Sequence, residues 1–171
     1  MRAPTLATAL AALSLACASG LAQDRRFGAW SVGLITGGGG VYAGTTNDSN
    51  GIFGEFCFKD SATCYWLLAN DIDCNEGNKY PVLVNSDAGA QSLEVYCFKI
   101  DKSSRFAFSD FKAVEQVVTQ SKRFSIAFPM KGGQFQVSRF SLDGATDAIE
   151  VMEKVAAAMK TSRESTRDQR L

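Results

Sequence analysis

Apolar and polar residues alternate along most of the chain from Phe27 to Phe108. In the segment WSVGLI, Trp30, Val32 and Leu34 fall on one face, as expected for a strand whose side chains point to opposite sides in turn. Segments rich in Gly, Asn, Asp and Ser, such as TGGGG and NDSNG, interrupt the alternation about every 8–15 residues. This spacing predicts an antiparallel β-sandwich or barrel.

The last third of the chain changes to the spacing of three and four residues that is typical of helices. Ser109 is predicted to cap a short helix with Phe111, Val114 and Val118 on one face. A C-terminal helix is also predicted, and its apolar stripe consists of Ala145, Ala148, Ile149, Met152, Val155 and Met159. Because its polar face mixes acidic and basic residues, we expect this helix to pack on the sheet rather than on a membrane.

The segment QFQVSRFSL changes its apolar phase in the middle. Phe135 and Val137 occupy odd positions, whereas Phe140 occupies an even position. A shift of one residue turns side chains to the opposite face of a sheet. We therefore predict a β-bulge near Ser138–Arg139.

Residues 1–22 have the composition of a secretory signal peptide, with Arg2 before an apolar run that is too short to span a bilayer. Small residues at its end are suited to cleavage before Gln23. We expect an exported chain, periplasmic or secreted and without a transmembrane segment, that folds as one domain at 23–160. The polar segment 161–171 is predicted to be a disordered tail. Without Arg2 the formal charge is near −1, a balance that does not indicate a nucleic-acid partner.

Four cysteines remain after the predicted cleavage, and an even set in an exported domain is typical of disulfides. They are Cys57, Cys64, Cys74 and Cys97. Three pairings are possible, and we favour Cys57–Cys64 with Cys74–Cys97 because neighbouring cysteines close the shorter loops. The gaps of 7, 10 and 23 residues do not match structural zinc sites, and no histidine exists to complete a mixed site. The cysteines are therefore predicted to be a covalent scaffold without a bound metal.

The acidic segment NDIDCNEGN, at residues 70–78, surrounds Cys74 and has part of a calcium-loop pattern. Asp71, Asp73 and Asn75 match positions 1, 3 and 5 of that pattern. Glu76 stands where the pattern requires Gly, and Val82 stands where it requires Glu. A solvated turn is the favoured interpretation. The alternative is a ligand loop in another geometry, with Asp71, Asp73 and Glu76 as its polar contacts.

The composition argues against an enzyme. With 0 histidines, Ser-His and Cys-His catalysis is excluded. Ser109 and Lys112 match an S-x-x-K pattern, but the companion motifs of penicillin-recognising enzymes are absent. The alternative is a glycoside hydrolase that uses two carboxylates, but their separation is spatial and nothing in the sequence singles out one pair among the 18 acidic residues. We therefore predict no catalytic residues and no cofactor.

Several motifs resemble the invasion-associated locus B family of small exported proteins of Gram-negative bacteria. The chain has the opening FGAWSV and, near its end, an aromatic strand, a Gly-containing turn, a second strand and SLDGATDAI. The residues that carry the resemblance are Phe27, Trp30, Phe140, Leu142, Gly144, Ala148 and Ile149. The resemblance implies an immunoglobulin-like β-sandwich, and the short helix and the C-terminal helix predicted above would pack on it. It also implies a non-enzymatic role at the envelope or host interface.

These observations favour a disulfide-bonded, exported β-sandwich that binds a protein partner. Phe53, Tyr65, Trp66 and Phe98 are candidates for an aromatic contact patch, although such residues more often belong to a core. The alternative function is a periplasmic module that binds a small ligand or calcium through the acidic segment.

Overall fold

A computed structural model describes residues 24–168 apart from positions 62, 101, 102 and 131, with side chains up to Thr161. The predicted signal peptide at 1–22 lies outside the described residues. The strands are β1 (Arg25–Phe27), β2 (Trp30–Ile35), β3 (Gly40–Thr46), β4 (Ile52–Phe58), β5 (Thr63–Ala69), β6 (Lys79–Ser86), β7 (Gly89–Ile100), β8 (Ser103–Phe108), β9 (Arg123–Pro129) and β10 (Phe135–Ser141). The helices are α1 (Phe111–Gln120) and α2 (Ala145–Asp168), and a short 3-10 turn occupies Thr36–Gly38.

The strands of the described residues form one antiparallel sheet in the order β1-β2-β3-β4-β5-β8-β7-β6-β9-β10. The sheet curves into a half-barrel that brings β2 near β10, where the indole N–H of Trp30 donates a hydrogen bond of 2.9 Å to the carbonyl of Ser141. The prediction of a mainly β, antiparallel fold with two helices is confirmed. The immunoglobulin-like sandwich is not, since the ten strands form a single sheet.

Both helices lie on the inner, concave face of the sheet, where the core is. Val114, Val117 and Val118 of α1 are buried there, and α2 packs on β2 and β3. At the core's centre the Phe53 ring stacks on Phe124 at 4.5 Å between centroids. The outer face of the sheet therefore carries the remaining side chains of each strand.

Two helix ends differ from the sequence predictions. Asp110, rather than Ser109, caps α1: its Oδ1 accepts a 3.0 Å hydrogen bond from the Ala113 amide. The Ser109 hydroxyl instead donates to Glu94 at 3.2 Å. At the other end, α2 continues to Asp168, into the segment 161–171 predicted to be a disordered tail. Extension of an existing helix needs no new nucleation, so a polar segment with helix-forming residues continues it.

The β-bulge predicted at Ser138–Arg139 was wrong. β10 pairs with β9 without interruption from Phe135 opposite Pro129 to Ser141 opposite Arg123. The apolar phase changes because Phe135 and Val137 point outward and are exposed, whereas Ser138 and Phe140 point inward and are buried.

Candidate functional site

Both predicted disulfides are present and have the favoured pairing. Cys57–Cys64 joins β4 to β5 on the inner face of the sheet, where Sγ of Cys57 lies 3.4 Å from Sδ of Met152 on α2. Cys74–Cys97 ties the segment after β5 to β7. The first bond therefore links two neighbouring strands of the sheet, and the second links the acidic segment to β7. They act as the scaffold that the sequence predicted.

The acidic segment is built around one of its three candidate residues. Oδ1 of Asp73 accepts hydrogen bonds from the Ser104 hydroxyl at 2.7 Å and from the Lys99 ammonium at 3.1 Å. These bonds, led by that of Ser104, lower the pKa of Asp73 below its usual value. Asp71 and Glu76 are exposed and take no part in these contacts. Asp73 therefore fastens its own segment to β8 and β7.

One cluster in the described residues has the spacing of metal ligands, and the sequence did not single it out. A carboxylate oxygen of Glu55 and the sulfurs of Cys57 and Cys64 lie within 4.8 Å of one another. The two sulfurs are bonded to each other, so they are not thiolates. The cluster therefore consists of a buried acid, Glu55, beside the Cys57–Cys64 disulfide.

The four aromatic candidates divide between the two faces of the sheet. Phe53 and Trp66 point inward and are buried, in agreement with the interpretation as core. Tyr65 and Phe98 point outward and are half-buried. Adjacent residues of a strand face opposite sides, which is why Tyr65 and Trp66 differ.

The outward pair belongs to a larger set, the outer aromatic surface, which consists of Tyr42, Phe56, Tyr65, Tyr96 and Phe98. Tyr42 and Phe56 are cross-strand neighbours with rings stacked 5.4 Å apart. Phe56 is in turn opposite Tyr65 on β5. Tyr96 and Phe98 lie on β7 with ring centroids 6.2 Å apart. The surface thus extends across β3, β4, β5 and β7.

Two smaller side chains fill the space between the parts of this surface. Leu67 is opposite Ala107, and Ala107 is opposite Tyr96, so the three form one row across β5, β8 and β7. Leu67 is only 4% exposed and Ala107 0% exposed, although both point away from the main core. The surrounding side chains of the outer face therefore cover Leu67 and Ala107. The outer face is a packed apolar surface, not a set of scattered exposed side chains.

The phenol groups of Tyr42 and Tyr96 remain protonated at neutral pH. Burial, and then the charge of Asp24, raises the pKa of Tyr42. Burial and the neighbouring Tyr65 raise the pKa of Tyr96. The surface therefore combines apolar rings with neutral O–H groups that donate and accept hydrogen bonds.

A separate polar groove of about 570 Å³ lies at the end of the half-barrel where β10 approaches β3. It is lined by Thr46–Asp48, Asn85–Asp87, Arg123–Ser125 and Arg139–Ser141. Its charges partly neutralise each other, because Arg123 lies 3.7 Å from Asp87. The groove therefore shows no clear preference for a ligand of either charge.

The fold and its surfaces define a disulfide-bonded, mainly β domain with a packed aromatic outer face. Within the described residues, no helix has the length and apolar character needed to cross a membrane. Neither a protein-family model nor a curated protein matches the chain. Among solved structures, it is similar to invasion associated protein B from Bartonella henselae. The TM-score is 0.54 and the identity 14%, over 77% of this chain and 96% of that one. The likeness establishes a shared fold.

Proposed function

We propose that the chain is an exported, non-enzymatic protein of the invasion-associated locus B type that binds a protein partner at the bacterial envelope or the host interface. The proposal combines the resemblance in sequence with the fold shared with invasion associated protein B. Two disulfides are compatible with an oxidising compartment, periplasmic or extracellular.

The outer aromatic surface is the observation that carries the proposal. Tyr, Trp and Phe are enriched at protein–protein interfaces because they supply a large apolar area and, in Tyr, a hydrogen-bonding group. Here Tyr65 lies on β5 and Tyr96 and Phe98 lie on β7, with only β8 between these strands in one hydrogen-bonded sheet. Because the backbone of all three residues is held in the sheet, little of its conformational freedom is lost when a partner binds. The alternative ligand loop gains no support from Asp73, whose Oδ1 is occupied by Ser104 and Lys99.

Site-specific photocrosslinking tests this surface. The chain is expressed in the native organism with p-benzoylphenylalanine in place of Tyr65, and the envelope is irradiated. The matched control carries the same group at Ser92, which also points outward from β7 but lies outside the outer aromatic surface. We expect a discrete protein adduct from position 65 and none from position 92.

Competition makes the result specific. Excess purified wild-type chain should suppress the adduct, whereas a folded Tyr65→Ala/Phe98→Ala variant should not. Equal labelling from both positions, or an adduct that the double variant suppresses as well as the wild type does, would rule out the outer aromatic surface as the binding site.

A further inference from the structure

The two edges of the sheet are protected to different degrees. β1 is three residues long and begins with Arg25 and Arg26, and short, charged strands are a common protection against pairing with another chain. β10 is seven residues long, and its outward side chains include Phe135, 60% exposed, and Val137, 40% exposed. An edge strand of this length with exposed apolar side chains is suited to pairing.

The hydrogen bonds to β9 determine which backbone groups of β10 are left at the edge. The Met130 amide donates to the carbonyl of Gln134 at 2.8 Å, and the Leu142 amide donates to that of Lys122 at 2.9 Å. In an antiparallel ladder, residue pairs that are hydrogen-bonded to each other alternate with pairs whose N–H and C=O groups point away from the partner strand. The even-numbered residues of β10 therefore bond to β9, and the odd-numbered residues face the free edge.

Three residues of β10 carry these edge-facing groups along its open part: Phe135, Val137 and Arg139. The next odd-numbered residue, Ser141, is already engaged, because its carbonyl accepts from the Trp30 indole at 2.9 Å. The open edge is therefore bounded on one side by the turn after Pro129 and on the other by the contact with β2.

The open edge of β10 can pair with the same edge of a second copy. If a second copy approaches antiparallel with the twofold axis at Val137, the two Val137 residues are opposite each other. Phe135 is then opposite Arg139 of the second copy, and each pair can exchange two backbone hydrogen bonds. The side chains of these pairs point to the outer face, where an arginine over an aromatic ring gives a cation–π contact.

The neighbouring strands continue the same row. Val137 is opposite Ala127, and Ala127 is opposite Leu83, which is 47% exposed. A twofold axis at Val137 would join this apolar row to its copy and double its length. The row lies on β6, β9 and β10, apart from the outer aromatic surface, so self-pairing leaves that surface free for a partner.

We propose that β10 pairs antiparallel with β10 of a second copy of this chain, through Phe135, Val137 and Arg139, and joins two half-barrels into one continuous sheet. The inference is independent of the proposed function, because it uses a different surface and a different occupant.

Sedimentation velocity of the mature chain over a range of concentrations tests the proposal. We expect a monomer–dimer equilibrium whose dissociation constant rises at least about tenfold in Val137→Pro. Proline at this position removes only an amide that points to the open edge, so the ladder with β9 is retained. Val137→Lys is the second variant: it keeps the amide and places two ammonium groups opposite each other across the axis.

Leu83→Lys is the matched control, since Leu83 is a similarly exposed apolar residue of the same row but lies on β6, two strands away from the pairing edge. It should leave the dissociation constant unchanged. Circular dichroism establishes that each variant is folded. The proposal is overturned by a wild-type chain that stays monomeric at all concentrations, or by a dimer that persists in folded Val137→Pro and Val137→Lys. Equal loss in Leu83→Lys would also overturn it, because the contact would then not be specific to the edge.

Discussion

Oε1 of Glu55 lies 3.9 Å from Sγ of Cys57, two residues further along β4, and both side chains are buried below α2. Only 3% of Glu55 is exposed. Burial, followed by the nearby charges of Glu153 and Glu115, raises the pKa of Glu55 from 4.5 to about 7. An inner-face acid of this kind makes the stability of the fold depend on pH.

The direction of this dependence follows from the raised pKa. Between pH 4.5 and about 7, Glu55 is protonated in the folded chain but ionised in the unfolded chain, so the free energy of unfolding falls as the pH rises. The fall amounts to about 3 kcal/mol and levels off above the folded pKa. Glu55→Gln should abolish it, with similar stability to the wild type at pH 4.5 and greater stability at pH 8.

Urea unfolding, followed by tryptophan fluorescence across this pH range, measures the effect. Glu115→Gln is the control, because it removes an exposed acid near Glu55 and leaves the buried one. It should retain most of the pH dependence. An unchanged dependence in Glu55→Gln would assign it to other groups.

The two disulfides should differ in how much they stabilise the fold. The chain-entropy model assigns about 2.5 kcal/mol to the loop closed by Cys57–Cys64 and about 3.5 kcal/mol to that closed by Cys74–Cys97. We therefore expect the Cys74→Ala/Cys97→Ala variant to lose more stability than Cys57→Ala/Cys64→Ala. Urea unfolding under non-reducing conditions compares the two variants with the wild type. The opposite order would mean that packing beside Met152 and Glu55 outweighs loop length.

The sequence predicted which residues share a face better than how the strands are arranged. Period-two alternation identified the strands, but it holds equally for a sandwich and a half-barrel. The strand order depends on long-range pairs such as Leu67 with Ala107, which no local pattern contains. The wrong prediction of a β-bulge has a similar origin. It requires Phe135 and Val137 to face the core, and a pattern of apolar residues does not distinguish an exposed apolar face from a buried one.

The sequence also predicted some residues of the candidate surfaces. Tyr65 and Phe98 were among the predicted contact residues, whereas Tyr42, Phe56 and Tyr96 were not. Glu55 had a signal that was missed: it lies at an inward position of IFGEFCF, between Phe53 and a cysteine. A lone acid in the buried phase of a strand indicates a perturbed pKa. Its proximity to Glu115 and Glu153, by contrast, arises only when both helices fold onto the sheet.

Gly144, one of the residues behind the family resemblance, should be essential for stability. Its φ is +81°, and a Cβ atom there would collide with the carbonyl of Phe27. Gly132 is the matched control, because its φ is +88° but the space around it is open. Gly132→Ala should lose about 1–2 kcal/mol from backbone conformation alone, and Gly144→Ala should lose clearly more. Thermal unfolding gives the comparison, and equal losses would contradict a steric role for the Phe27 contact.

Phe53 should be the most sensitive position of the core, because its ring contacts aromatic side chains from several strands. The centroid of Phe124 lies 4.5 Å away and that of Trp66 5.4 Å away. Phe53→Ala should lower the free energy of unfolding by about 3–5 kcal/mol, which includes the cavity it leaves. Phe53→Leu should lose less and provides a measurable value if the alanine variant is unfolded. Phe135→Ala, at a residue 60% exposed, should change stability in dilute solution by no more than about 0.5 kcal/mol. A loss at Phe135 as large as that at Phe53 would show that β10's outer side chains are packed, and would remove the exposed edge on which the proposed dimer depends.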